Sequence, residues 1–467
     1  MQEAAVQKLK LASELSEQGK LDQALKACEE GIRVEPDSGL LFRFLGSLQL
    51  KNNNYDSAEE ALRQASQLDP NDVDTLHLLA ITQSENQLPL RAHQTYSELL
   101  AQQRGALSLW NDYALNLCRL GHFNEAVEIY QKVLEAAPQG NVKTQYNLGT
   151  LQLFLGNFAQ GWNGYALRNE KDRKEKPRIA VSWKGQAIEN NQRVLIYREQ
   201  GIGDEILMAS CYQDFINRYP NSEITILCNP RLEALFKRNF PDTNVMPVDA
   251  IDDQYILHNP FQWQVSAADL PFYFRQNKDS FNHAPLTVDA SKQEQLLNQL
   301  SAKAKHSVRI GLSWLGGKSI GKKINYRSIP LEEFYPLFRI PNITWVNLQH
   351  GDIEQDIQKA IAETGADIIS VEEASPYGDF DDYGALISAL NHVVSVDNAV
   401  ANLAGALGQS CSLLAPTYPF WWWTHGVDQN PWFPSVDVLF REPEAQSWSA
   451  LVEQVQQSLQ RLVPAST

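Results

Sequence analysis

The chain has 467 residues, 43% of them hydrophobic and 21% charged, with a formal net charge of −16; this is the composition of a globular protein of two to four domains. So acidic a surface argues against a nucleic-acid backbone as partner, although it leaves room for a local anion pocket. The five cysteines (Cys28, Cys118, Cys211, Cys228, Cys411) are scattered and odd in number, which speaks for reduced thiols over a disulfide framework or zinc site; the Gln-, Glu- and Lys-rich start and the lack of any apolar run near ~20 residues lead us to expect a cytoplasmic protein without membrane insertion.

From the N-terminus, Pro36, Pro70 and Pro138 stand 34 and then 68 residues apart, one and two periods of a helical-hairpin repeat. Leu11, Ala12, Gly19, Ala24 and Cys28 mark the first unit, and Phe42, Leu45, Gly46, Tyr55, Ala58, Leu62 and Ala65 the second. Leu79, Ala80, Ala92, Tyr96 and Leu99 mark a third, with Arg104 at the proline position. Trp110, Tyr113, Ala114, Gly121, Ala126 and Tyr130 mark a fourth, and Leu148, Gly149, Gly156 and Tyr165 a fifth. Small residues such as Gly46 and Ala58 let paired helices approach, large ones such as Phe42 and Leu62 fill the gaps, and the proline ends the second helix. Residues 1–168 resemble the tetratricopeptide repeat, which implies an α-solenoid whose groove holds a protein or peptide. The charged stretch Arg168–Arg178 reads as a solvated junction.

Beyond the junction the period changes to strand–helix alternation. RVLIYR (Arg193–Arg198) and EITILC (Glu223–Cys228) read as strands of a first series. RIGLSW (Arg309–Trp314), ITWVNL (Ile343–Leu348), Asp367–Ile369, HVVSV (His392–Val396) and Ser412–Leu414 read as a second. Such alternation implies parallel sheets with helices on both faces, here two Rossmann-like domains facing across a cleft, residues 169–290 and 291–467. The last helix, Trp448–Leu462, is placed to cross back onto the first of them.

Four segments carry candidate chemistry. In EQGIGDE (Glu199–Glu205), Gly201 and Gly203 suit a tight turn and a close backbone approach, and Asp204 is either a helix-capping carboxylate or a functional one. SVDNAVANLAGALG (Ser395–Gly408) opens a helix after a strand, with Asp397, Asn398, Ala399 and Asn402 at a terminus whose free N–H groups suit a phosphate. GLSWLGGKSIGKKINYRSIP (Gly311–Pro330) carries Ser313, Lys318, Lys322, Lys323 and Arg327 beyond a strand end, as a phosphate clamp or as a solvated loop. In TYPFWWWTHG (Thr417–Gly426), Trp421, Trp422 and Trp423 either stack on a sugar or base or wedge a loop onto its domain. His283, His350 and His425 lack metal-ligand spacing, and neither a GxSxG elbow nor a Walker loop occurs.

EQGIGD, IGLSW…RSIP, NLQ (Asn347–Gln349), VSVDNAVANLAGALG, the tryptophan-rich segment and PWFPSVDVLFR (Pro431–Arg441), in that order, resemble bacterial tetratricopeptide–glycosyltransferase fusions, with a catalytic half similar to the heptosyltransferases. The resemblance implies a GT-B fold and an inverting, metal-independent transfer from a nucleotide sugar, without a further cofactor. It implies that Asp204 is the catalytic base and that Asp397, Asn398, Ala399 and Asn402 stand where the family has Asp-Thr-Gly-x-x-His. It places Arg327, Ser313 and Gln349 on the donor side. Asn398, Ala399 and Asn402 depart from the family's threonine, glycine and histidine, and an amide at 402 can donate to phosphate without supplying charge. Some fusions of this type resemble flagellin glycosyltransferases that use a CMP-linked nonulosonic sugar, which makes flagellin the favoured acceptor. Transfer to a cell-surface saccharide and a non-catalytic scaffold are the alternatives.

Overall fold

A computed structural model describes residues 3–101, 106–137, 141–171, 179–281, 284–317, 326–443, 445 and 447–463. Lys318, Lys322, Lys323, Pro138, Arg104, His283 and the junction from residue 172 to 178 lie outside them. The chain divides into two compact units, Met1–Asn147 and Leu148–Thr467.

The first unit is built of antiparallel helix pairs: Glu3–Glu17 with Leu21–Val34, Gly39–Lys51 with Tyr55–Leu68, Val73–Glu85 with Pro89–Ala101, and Leu107–Arg119 with Phe123–Ala136. The second helices start at steps of 34 residues, at Leu21, Tyr55, Pro89 and Phe123. The reason for the small residues is visible at Gly46, where a Cβ would lie 2.5 Å from Leu62 Cγ. The turn inside each pair needs one left-handed residue, supplied by Gly19 (φ 76), Asn53 (φ 59), Gln87 (φ 62) and Gly121 (φ 73), and glycine adopts that conformation without the Cβ clash. Ala5, Ala12, Ala24, Ala27, Cys28, Leu41 and Leu48 form one buried cluster at the start of the array.

The second unit holds two wholly parallel sheets. The first contains β1 (Val181–Ser182), β2 (Arg193–Tyr197), β3 (Glu223–Cys228), β4 (Asn244–Pro247) and β5 (Trp263–Ser266), in the order β1-β5-β2-β3-β4. The second contains β6 (Val308–Ser313), β7 (Ile343–Asn347), β8 (Asp367–Ile369), β9 (His392–Val396), β10 (Cys411–Ala415) and β11 (Val436–Phe440), in the order β11-β10-β9-β6-β7-β8. Strands β9 and β10 are buried along their whole length, which is why they read as continuous apolar runs. In each sheet the strand order reverses once, between β2 and β5 and between β6 and β9, and such a reversal opens a crevice at the carboxyl ends. All five cysteines are buried and unbridged.

The last helix, Ser449–Gln460, does not cross back. Trp448, Leu451, Val452, Val455 and Leu459 join Val308, Ile310, Ile343 and Trp345 in the core of the second sheet. Its apolar face has its partners there, and that decides its place. Among the described residues no helix is long and apolar enough to cross a membrane.

Candidate active site

The turn after β2 is shaped by Gln200 rather than by its glycines. Gln200 takes the left-handed conformation at φ 70, whereas Gly201 is extended at φ −89. The glycines are there for space. A Cβ on Gly201 would lie 3.1 Å from Asp204 Oδ2, and one on Gly203 would lie 3.2 Å from Asn402 Nδ2 and 3.5 Å from Ala399 Cα. Asp204 stands in the first turn of helix Ile202–Ala209, where its Oδ2 accepts the Gly201 N–H at 3.0 Å. Burial pushes its carboxyl up from 3.8 to about 6; backbone hydrogen bonds oppose this, the Asp397 charge adds to it, and Arg327 subtracts from it. The two other carboxylates of the motif are tied elsewhere. Glu199 is held by Arg168, with both Nε and NH2 donating at 2.7 Å, and Glu205 by Arg198 Nε at 2.7 Å and the Asn229 N–H at 2.8 Å.

The opposing wall comes from the second sheet, at the crevice between β6 and β9. Asn398 caps helix Ala399–Ala406, its Oδ1 accepting from Val400 N at 2.9 Å and Ala401 N at 3.3 Å. Its Nδ2 donates to Ser313 Oγ at 2.7 Å and to the Leu315 carbonyl at 3.1 Å. Ser313 in turn donates to Gln349 Oε1 at 3.0 Å, which also accepts from Trp314 N and Leu315 N. This network pins the start of the loop after β6, and the Gly316 N–H to Ser328 Oγ bond of 2.8 Å pins its end. The expectation of an open helix terminus is therefore corrected, because the cap itself takes two of the first N–H groups. Ser313 and Gln349 are buried, and their bonds run to each other, to the Asn398 side chain and to backbone.

Asp397 is buried, with Oδ1 accepting the Trp423 indole N–H at 2.8 Å and Oδ2 the Phe420 N–H at 3.1 Å. Burial pushes its carboxyl up, against Arg327, Trp423 and Phe420. Arg327 NH1 donates to the Asp397 carbonyl at 3.1 Å, and its guanidinium lies 4.2 Å from the centroid of the Phe420 ring. The segment after β10 thus holds Asp397 by a backbone N–H and an indole, and gives Arg327 an aromatic floor. Trp421, Trp422 and Trp423 are 6%, 3% and 0% exposed. Trp421 packs on Trp162 and Trp432 at 5.3 and 5.5 Å, and Trp422 stacks on Phe420 at 4.4 Å. Rings so covered wedge the loop onto its domain and offer no broad face to a sugar.

Asn402 donates one N–H of Nδ2 to the Gly203 carbonyl at 2.9 Å, which joins the two helices and leaves the second N–H and the amide oxygen for further bonds. Ala399 lies at the same contact, against Gly203. Asp204, Arg327, Asp397 and the start of helix Ala399–Ala406 are therefore brought together, with Asp204 within electrostatic reach of both Asp397 and Arg327. Sequence reasoning missed Phe420, the Trp423–Asp397 bond and the Arg168–Glu199 pair, each of which depends on contacts between distant segments. Among the described residues no cluster of three or more His, Cys, Asp or Glu side chains could hold a metal ion.

Residues 9–73 and 107–139 match the tetratricopeptide repeat, so this part of the chain is a tetratricopeptide array. The chain is similar to Protein FlbA of Caulobacter vibrioides, 26% identical over 475 residues that cover 91% of this chain and 79% of that protein. Among solved structures it is similar to E. coli ADP-heptose lps heptosyltransferase II, at TM-score 0.43 and 14% identity over 59% of this chain and 100% of the other. The glycosyl transferase family 9 structure from Veillonella parvula DSM 2008 matches at TM-score 0.43 and 14% identity, over 58% of this chain and 97% of its own.

Proposed function

We propose that this chain is an inverting glycosyltransferase of the GT-B type, working in the cytoplasm without a metal. The first sheet carries the base for the acceptor, and the second holds the nucleotide-sugar donor. The observation that carries the reading is the meeting of Asp204, from the turn after β2, with Arg327 and the helix beginning at Ala399, beyond β6 and β9. A carboxyl raised to about 6 is ionised at neutral pH and still basic enough to take a proton as an acceptor oxygen attacks.

In this reading the hydroxyl of an acceptor Ser or Thr gives its proton to Asp204 while its oxygen bonds to the anomeric carbon. The bond from that carbon to the donor phosphate breaks, and the electron pair leaves on the phosphate oxygen. Arg327 and the positive end of helix Ala399–Ala406 stabilise that departing charge. Asp397 holds Arg327 through its carbonyl and anchors the aromatic segment through its carboxylate. The resemblance to tetratricopeptide–glycosyltransferase fusions of the flagellin-modifying type supports a CMP-linked nonulosonic sugar as donor and flagellin as acceptor, captured by the tetratricopeptide array.

The test is thermal shift with a panel of CMP-, UDP-, GDP- and ADP-linked sugars, followed by turnover with the one that binds. A donor that binds only the folded protein at about 100 times its Kd adds ~2.7 kcal/mol of stability. Asp204→Asn is expected to keep that shift and lose transfer. Wild-type turnover in Asp204→Asn would remove Asp204 as base, and the lack of a shift with every donor would favour the scaffold reading.

A further inference from the structure

We infer that Arg168, from the short helical turn Arg168–Lys171, is the positioning residue for the turn that carries Asp204. It fills the crevice where the first sheet reverses its strand order, and it clamps the backbone leading to the base. The inference rests on the proposed role of Asp204 and adds to it the device that sets its position.

The two strand reversals of this unit are used differently. Between β6 and β9 the crevice is bordered by Asn398, Ser313 and the start of a helix. Between β2 and β5 it is occupied by a guanidinium that is only 4% exposed. Arg168 Nε and NH2 donate to the two oxygens of Glu199 at 2.7 Å each, and NH2 also reaches Asp269 Oδ1 at 2.7 Å and Ser266 Oγ at 3.3 Å. Glu199 follows β2 and Ser266 ends β5, so one planar fork bridges two neighbouring strand ends. A bidentate arginine–carboxylate pair fixes orientation as well as distance, which a lysine cannot do. Burial would raise the Glu199 carboxyl, but the Arg168 bonds hold it below the usual carboxylate range.

The next residue is gripped from the same segment. Gln200 Nε2 donates to the Tyr165 hydroxyl at 3.0 Å, and Gln200 is the residue held left-handed at φ 70. A non-glycine residue keeps such a conformation only where its surroundings over-determine it. Gly201 follows, and its N–H is the one Asp204 accepts. The segment also supports the other wall, since Trp162 and Tyr165 pack on Trp421 at 5.3 and 5.0 Å, two residues before the indole that binds Asp397. Trp162 is itself fixed by donating to the Arg275 carbonyl at 2.6 Å.

The test uses the full chain with the double variant Arg168→Met/Glu199→Gln, which removes the charge of Arg168 together with that of its bidentate partner and takes an ion-pair bond only from Asp269, whose side chain is 26% exposed, and with Arg168→Lys beside it. Hydrogen exchange of the peptide spanning residues 199–207 is the first readout. We expect exchange about tenfold faster in the double variant and an intermediate rate in Arg168→Lys, with the tetratricopeptide peptides unchanged. In the pH–rate profile the acid limb set by Asp204 is expected to move down by about one pH unit as water reaches the carboxyl, with kcat lowered and the donor KM kept. Unchanged exchange over 199–207 together with an unmoved acid limb would overturn the inference. The exchange readout needs no turnover, so an inactive wild-type protein would refute the proposed function and still leave this inference decided by its own measurement.

Discussion

Replacing Asp204 by Asn should stabilise the protein at pH 8 while abolishing its activity. The carboxyl rises from its ordinary 3.8 to about 6 in the folded chain, and each pKa unit corresponds to ~1.4 kcal/mol. The full shift would amount to ~3 kcal/mol. Asp204 retains some solvent contact, so screening reduces the expected effect to ~1–2 kcal/mol. The sign follows from proton binding. Between pH 4 and 6, roughly, the folded chain holds a proton that the unfolded chain has released, so stability falls as pH rises through this window and is flat above it. Below the window both states are neutral. Asn keeps the bond to the Gly201 N–H through its amide oxygen and carries no charge to bury. Urea unfolding of the two proteins at a series of pH values is the assay. The advantage of Asp204→Asn should grow from pH 4 to pH 6, roughly, and then hold. A variant less stable than wild type at pH 8, or an advantage independent of pH, would refute the burial argument.

Wild-type turnover should show an acid limb near pH 6, because Asp204 must be ionised to act as base and its carboxyl is held at about 6; a limb near pH 4 would place the base elsewhere. Trp423→Phe keeps most of the ring and removes the N–H that meets Asp397 Oδ1 at 2.8 Å, which should cost ~1.5–3 kcal/mol in the unfolding of the α/β unit and lower turnover through the loosened Arg327 contact. Gly121→Ala, at φ 73, should destabilise the tetratricopeptide array by ~1–2 kcal/mol as read by denaturation, with nucleotide-sugar binding unchanged.

The repeat region was legible because its marks are local and recur: Gly46 against Leu62 and the left-handed turn at Gly19 and Gly121 follow from pairing two helices at a fixed spacing. Strands β2, β3, β6, β7, β8, β9 and β10 were legible as apolar runs between helical segments. β1, with only Val181 and Ser182, carries no such signal, and β11 was noticed as a motif rather than as a strand. The last helix was misplaced because its apolar face says that it packs, not on which sheet. At the site, motif order pointed to Asp204, Arg327 and Asp397, whereas the conformational load on Gln200 could not be seen beside two glycines that looked like the turn residues. The residues alone left Trp421–Trp423 open between stacking on a ligand and wedging the loop, whereas the Trp423–Asp397 bond and the Arg168–Glu199 pair escaped for a shared physical reason. Each is defined by a partner more than twenty residues away, and composition and spacing report only neighbours.

The central claim, Asp204-dependent transfer of a sugar to a protein, is tested most directly by intact-mass spectrometry of flagellin from cells that carry, lack, or express the Asp204→Asn form of this gene. Loss of the gene should lower the flagellin mass by one or more sugar units, the wild-type gene should restore it, and Asp204→Asn should not. An unchanged flagellin mass in cells lacking the gene, or full restoration by Asp204→Asn, would contradict the claim.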